Sequence, residues 1–172
     1  MNPVLYLIMR NDLPSLNPGK LAAQAGHVAN AFVHDMQKNY NSTLVDMPVN
    51  KSYAHWSNQT DQGFGTSLVL GANKEYFDNK EYFDKDLVKT DKYNNWIAGN
   101  VIDPTYPCII PREVAQYLVQ WNWEGTENLM DHVIVKDRVG IFLRPELVGR
   151  YVFGDKDDYE VRELVKGLEL YP

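Results

Sequence analysis

Apolar and polar positions alternate between two periods along this chain, and the changes of period mark its elements. Val4–Met9 (VLYLIM) is a short, unbroken apolar run of β-compatible residues, as expected of a central strand covered on both faces. Asn11–Gly19 (NDLPSLNPG) is rich in turn formers, and its two prolines exclude a regular helix there. From Lys20 the pattern becomes helical. Ala22, Ala25, Ala29, Phe32, Val33 and Met36 form a stripe suited to packing on a sheet, and the alanine- and glycine-rich first half allows a close approach. Residues 39–66 show little periodicity and read as loop with a short helix around Lys51–Ser57. Ser67–Gly71 reads as a second buried strand and Asn100–Ile102 as a third, the latter ended by the prolines of Asp103-Pro104-Thr105-Tyr106-Pro107.

Further along, Pro111 is placed to begin a helix with Val114, Ala115, Leu118 and Trp121 on one face. Residues 132–143 resemble a hairpin around Asp137-Arg138, and Tyr151–Phe153 is a candidate last strand. Asp158–Leu168 reads as a closing amphipathic helix, with Asp158 as N-cap and Val161, Leu164, Val165 and Leu168 facing inward. The KEYFD of 74–78 recurs at 80–84, but a six-residue shift turns the copies to different helix faces, so it reads as charged surface structure. Strands alternating with helices imply a layered α/β domain.

Composition narrows the classes. A chain of 172 residues with 44% apolar content fits one domain with one core. No apolar run approaches the roughly 18 residues of a membrane span, so no membrane partner is expected. Cys108 is the single cysteine, which excludes a disulfide framework and a cysteine-based zinc site and suits a reducing, cytoplasmic setting. The net charge of −6 runs against nucleic-acid binding, but the charges are uneven. Residues 1–40 set Arg10, Lys20 and Lys38 against Asp12 and Asp35, whereas 155–172 hold six acids against Lys156, Arg162 and Lys166. A local basic face on an acidic molecule is therefore compatible with the sequence.

Lys20, Gln24 and His27 stand at i, i+4 and i+7, so a helix would project all three from one side. Lys20 would also sit in the first turn, where exposed N–H groups and the helix dipole suit a phosphate or an oxyanion. A solvated polar face is the plainer account of the same spacing. Asp103 follows a strand and precedes a stiff loop, and ligands of open α/β sheets gather beyond the carboxyl ends of strands. A carboxylate there can orient or deprotonate water, although Asp before Pro is also an ordinary turn former. No GxSxG elbow, nucleotide loop or HExxH motif occurs, and His27 and His34 lack a third ligand. Trp56, Trp96, Trp121 and Trp123 could stack on bases, but in a domain of this size tryptophans are more often core or interface anchors.

These segments resemble, in order, those of the type II peptidyl-tRNA hydrolases. VLYLIMRNDL followed by GKLAAQAGHVA matches an apolar strand, Arg-x-Asp-Leu, a short loop and Gly-Lys-x-Ala-x-Gln-x-x-His, through Arg10, Asp12, Leu13, Gly19, Lys20, Ala22, Gln24 and His27. SLVLGA resembles the family's second strand, NVIDPTYPCIIP its Asp-Ala-Gly-x-Thr-x-Ile-x-Pro segment, and YVFGDKDDYEVRELVKGLELY its last strand and helix. Pro104-Thr105 replaces the Ala-Gly, Pro107 stands at the threonine position, and Ser67 replaces the basic residue before the second strand.

The resemblance implies a three-layer α/β sandwich: a mixed, roughly four-stranded sheet with helices on both faces. The whole chain would be one such domain, with residues 112–150 inserted before the last strand. The implied reaction is hydrolysis of peptidyl-tRNA without a metal or organic cofactor. Lys20, Gln24 and Asp103 would be catalytic: Lys20 neutralising negative charge, Gln24 orienting substrate, Asp103 activating water. Arg10, Gly19, His27 and Thr105 would border the substrate, with Arg10 and Asp12 bracing the loop as an ion pair and His27 mainly structural. Thr105 could supply the missing hydroxyl only through a reshaped loop. A homodimer is compatible with the sequence, which does not determine the oligomeric state. The competing readings are a tRNA-binding module on the same fold without turnover, favoured by the altered Asp103 loop, and a protein-binding adaptor built on Trp121-Asn122-Trp123.

Overall fold

The computed structural model describes residues 1–13, 16–40, 47–78, 89–90, 95–103, 109–110, 134–135, 142–143 and 146–172. By contact the chain divides into two compact units, Met1–Val101 with Gly149–Pro172, and Ile102–Val148.

The first unit is built on β1 (Pro3–Arg10), buried along its whole length. It pairs in parallel with β2 (Ser67–Ala72), Leu5 opposite Ser67 through Arg10 opposite Ala72. On its other side it pairs antiparallel with β8 (Glu146–Asp155), Val4 opposite Gly154 through Met9 opposite Gly149. With β3 (Lys89–Thr90), β4 (Ile97–Asp103) and β9 (Glu169–Leu170) these make a six-stranded sheet in the order β3-β4-β8-β1-β2-β9. A Cβ on Gly154 would meet Trp96, one on Gly99 would meet Tyr151, and Arg150 donates to Asn100, so β4 runs against β8. Strands β1, β2 and β4 therefore share one direction. All four expected strands lie in this sheet. The two additional strands are two-residue edge pairings, too short to leave an alternating pattern in sequence.

Helix α1 (Pro18–Tyr40) and α2 (Pro48–Ser57) cover one face. The alternation of β1 sends Leu5, Leu7 and Met9 into a core with Val28, Phe32, Met36, Val49, Trp56, Ile97, Tyr151 and Phe153. Phe32 is its hub: its ring centroid lies 4.8 Å from that of Phe153 and 5.5 Å from those of Trp56 and Tyr151. The buried seam of α1 runs through Gln24, Val28, Phe32 and Met36, one turn apart, with Ala25 and Ala29 at its edge and Ala22 exposed. Close approach is not supplied by Gly26, which faces open space. It comes from Gly149 on β8, where an added Cβ would lie 2.8 Å from Val28. Likewise Gly99 leaves room for the Tyr151 ring, which an added Cβ would meet at 2.6 Å.

Two short helices cover the opposite face: α3 (Lys74–Asp78), the first KEYFD copy, and α4 (Tyr159–Val165). Asp158 caps α4 by accepting from the Val161 N–H, as its position before the apolar pattern suggested. Val161 and Leu164 are buried, and Tyr76 of α3 donates its hydroxyl to the Leu164 carbonyl at 2.7 Å. The domain is thus a mixed sheet between helical layers. Helix α4 stops at Val165, short of Leu168, because Gly167 takes a positive φ and turns the chain into β9.

In the second unit, β5 (Ile109–Ile110), β6 (Ile134–Val135) and β7 (Phe142–Leu143) form a three-stranded sheet in the order β5-β7-β6. Ile134 pairs antiparallel with Leu143 and Val135 with Phe142, so these two segments pair as expected of a hairpin. The Asp137-Arg138 turn, the helix expected from Pro111 and the second KEYFD copy lie outside the described residues.

Candidate active site

The carboxyl end of β1 leads through a short loop into α1. Arg10 ends the strand almost fully buried, at 4% exposure, and its guanidinium lies 5.9 Å from the centre of the Phe77 ring. Its Nε donates to Asp12 Oδ1 at 2.6 Å and its Nη2 to Oδ2 at 3.1 Å. Asp12 Oδ2 also accepts from the Lys74 N–H at 2.9 Å, which ties the exit of β1 to the start of α3. Burial alone would raise the Asp12 carboxyl, but hydrogen bonds from Arg10 and the Lys74 N–H, with the guanidinium charge, outweigh it and hold the group below its ordinary range. The expected ion pair is present. Its geometry makes Arg10 a brace, with its charge turned to Asp12 within the fold.

Helix α1 starts two residues earlier than the helical pattern indicated. Asn17 Oδ1 accepts from the Lys20 N–H at 2.9 Å, and the Asn17 carbonyl accepts from the Leu21 N–H at 2.8 Å. Pro18 then occupies the first helical position, where its missing N–H costs nothing. Asn-Pro ahead of a helical pattern is a cap signature, and that signal was present in the sequence.

Lys20 is exposed at this helix start, with Gly19 exposed beside it. Gln24 is buried at 6% exposure and heads the seam that continues through Val28. His27 is exposed. The three residues therefore do not share one environment. Residue 24 lies toward the sheet, and the 100° step per residue carries positions 20 and 27 past the seam's edge into solvent. Asp103 is the last residue of β4, the strand parallel to β1, while its side chain and Thr105 lie outside the described residues.

This arrangement offers a cation at a capped helix start, a buried amide one turn away and a braced loop between strand and helix. Among the described residues no cluster of His, Cys, Asp or Glu could hold a metal ion. No described helix is long and apolar enough to cross a membrane. Arg150 escaped the sequence reading. It is 1% exposed on β8, donates from Nε to Asn100 Oδ1 at 2.6 Å, and lies 5.3 and 5.2 Å from the ring centres of Tyr76 and Phe77. An arginine between apolar neighbours carries no periodic signature of its burial.

Residues 3–75 match the family model described as Peptidyl-tRNA hydrolase PTH2. That span holds the Arg10–Asp12 brace, the capped helix and β2, and it ends before Asp103. A comparison with curated proteins gave no match.

Proposed function

We propose that this chain, whose residues 3–75 match the model of the type II peptidyl-tRNA hydrolases, hydrolyses the ester joining a peptide to the 3′ ribose of a tRNA in the cytoplasm. The observation that carries the reading is Lys20, exposed in the first turn of a side-chain-capped helix within the matched segment.

Water attacks the ester carbonyl carbon, its proton passing to the Asp103 carboxylate. The bond from that carbon to the ribose oxygen then breaks, and the oxygen leaves as a hydroxyl by taking a proton. The products are a peptide carboxylate and free tRNA. Lys20 stabilises the negative charge that develops on the carbonyl oxygen, a contribution on the order of a few kcal/mol from a preorganised cation. Gln24, held by the buried seam, orients the substrate through its amide. Gly19 admits the backbone of the terminal nucleotide, His27 borders it from the solvent side, and Thr105, two residues after Asp103 in sequence, takes the part of the family's threonine hydroxyl.

Asp103 is put forward as the last residue of β4, because ligands of open α/β sheets gather beyond the carboxyl ends of strands.

Peptide release from peptidyl-tRNA by the purified chain tests the proposal. Lys20→Ala should lower both turnover and tRNA affinity. Asp103→Asn should lower single-turnover rate by about 10²-fold or more while leaving tRNA binding intact. A wild-type chain that binds tRNA without releasing peptide would decide for the binding module, the reading favoured by Pro104 and Pro107.

A further inference from the structure

The solvent side of α1 is unlike those of the other described helices. Lys20, Ala23, His27, Asn30, His34 and Lys38 are all exposed, and at 100° per residue they fall within one narrow stripe. From Lys20 to Lys38 the stripe is about 27 Å long at 1.5 Å per residue. The helix has one acid, Asp35, and its Oδ2 accepts the hydroxyl of Tyr151 at 2.5 Å, off the stripe and toward the sheet. The nearby pair Arg10 and Asp12 is mutually neutralised. No acid therefore lies on this described stripe of α1, on a chain whose net charge is −6.

Other exposed helices differ. Helix α4 shows Glu160 and Arg162 with half-buried Glu163, and α3 shows Lys74 with Glu75 and Asp78, so each cation there has an acid beside it in sequence. On α2, Lys51 borders a cavity of about 430 Å³ also lined by Asp155, Asp157 and Asp158. Helix α1 is the described helix whose outer face lacks such compensation.

We propose that the Lys20–His27–His34–Lys38 stripe of α1 is the docking surface for the phosphate backbone of the tRNA, running from Lys20 at the reactive end to Lys38 at the far end. This deepens the hydrolase reading and rests on it for the identity of the RNA. Contacts of this kind are electrostatic and independent of base sequence, and they release counterions. An acid-free stripe is what they require; the acidic remainder of the chain repels RNA that approaches from other sides.

The test compares two charge reversals of equal size, Lys38→Glu on the stripe and Lys166→Glu in the turn after α4. Dissociation constants for deacylated tRNA are measured across a salt series, together with the single-turnover rate at saturating substrate. Lys38→Glu should weaken binding by roughly 5- to 10-fold and flatten its salt dependence by about one contact, with the saturated rate unchanged. Lys166→Glu should stay within about twofold of wild type, and adding His34→Glu to Lys38→Glu should deepen the loss. If charge reversal near the carboxyl end of α1 impairs folding, Lys38→Gln removes the charge without reversing it. Equal effects of Lys38→Glu and Lys166→Glu would overturn the proposal, since net charge alone would then explain them. A wild-type chain that binds through this stripe without releasing peptide sinks the hydrolase reading and leaves the surface standing. One that does not bind tRNA at all overturns both.

Discussion

The two helical layers of the first unit stabilise the same sheet by opposite means. Helices α1 and α2 pack an apolar, aromatic core in which Phe32 touches rings from α2 and β8, and the described lysines of α1 remain outside. Beneath α3 and α4 the sheet instead buries two arginines, Arg10 and Arg150, under the rings of Tyr76 and Phe77. Burial depresses the Arg150 guanidinium below its ordinary value against the opposing effect of Tyr76, and burial raises the Tyr76 hydroxyl against that of Arg150. A layer whose core needs no charge keeps its cations for solvent. A layer that covers buried guanidinium groups needs specific polar partners, and each partner is a point of failure.

Three substitutions probe this contrast, in falling order of effect. Phe32→Ala removes the aromatic hub and should cost about 3–5 kcal/mol in denaturant unfolding, since large-to-small changes in a packed core leave a cavity. A cost below about 1 kcal/mol would mean that the α1 layer is not the principal core. Asp12→Asn removes the carboxylate charge that pairs with the buried Arg10 and should cost roughly 1–3 kcal/mol near neutral pH, reduced from the fully buried case because Asp12 is partly exposed.

The pH dependence of that second loss has a definite sign. The folded Asp12 carboxyl lies below its reference value of 3.8, so its stabilisation is present above that pH and disappears as pH falls through the lower folded value. Wild type and Asp12→Asn should therefore converge in stability only below about pH 4, and a gap that persists unchanged there would remove the ion pair as its cause. Tyr76→Phe deletes the hydroxyl that links α3 to the Leu164 carbonyl and should cost about 1 kcal/mol in thermal or denaturant melts. Because Tyr76 lies in the other layer, its loss should leave tRNA affinity untouched; a matching loss of affinity would break the separation between the layers.

Much of the fold was legible because it rests on local signals. The unbroken run Val4–Met9, the change to helical spacing after Lys20 and the Asp158 cap are patterns within a few residues, and each corresponds to an observed element. The short edge strands β3 and β9 were not legible, since two residues carry no period. Lys20 could be placed from spacing and the family's motif. Gln24 was misjudged as one of a polar face because i, i+4 spacing fixes angles around a helix but not which side the sheet covers.

Residue order alone specifies the strand-to-helix unit with its Arg-x-Asp brace and its Lys20 helix start, because these depend on period, turn chemistry and a motif of adjacent residues. It also determined the uneven distribution of charge, which is a property of composition along the chain. Which charges matter where follows from the folded chain. Packing turned Arg10 and Arg150 inward, satisfied Asp35 through Tyr151 from a strand more than a hundred residues away, and left the outer stripe of α1 without an acid. Burial and pairing depend on contacts distant in sequence, and local pattern carries no record of them.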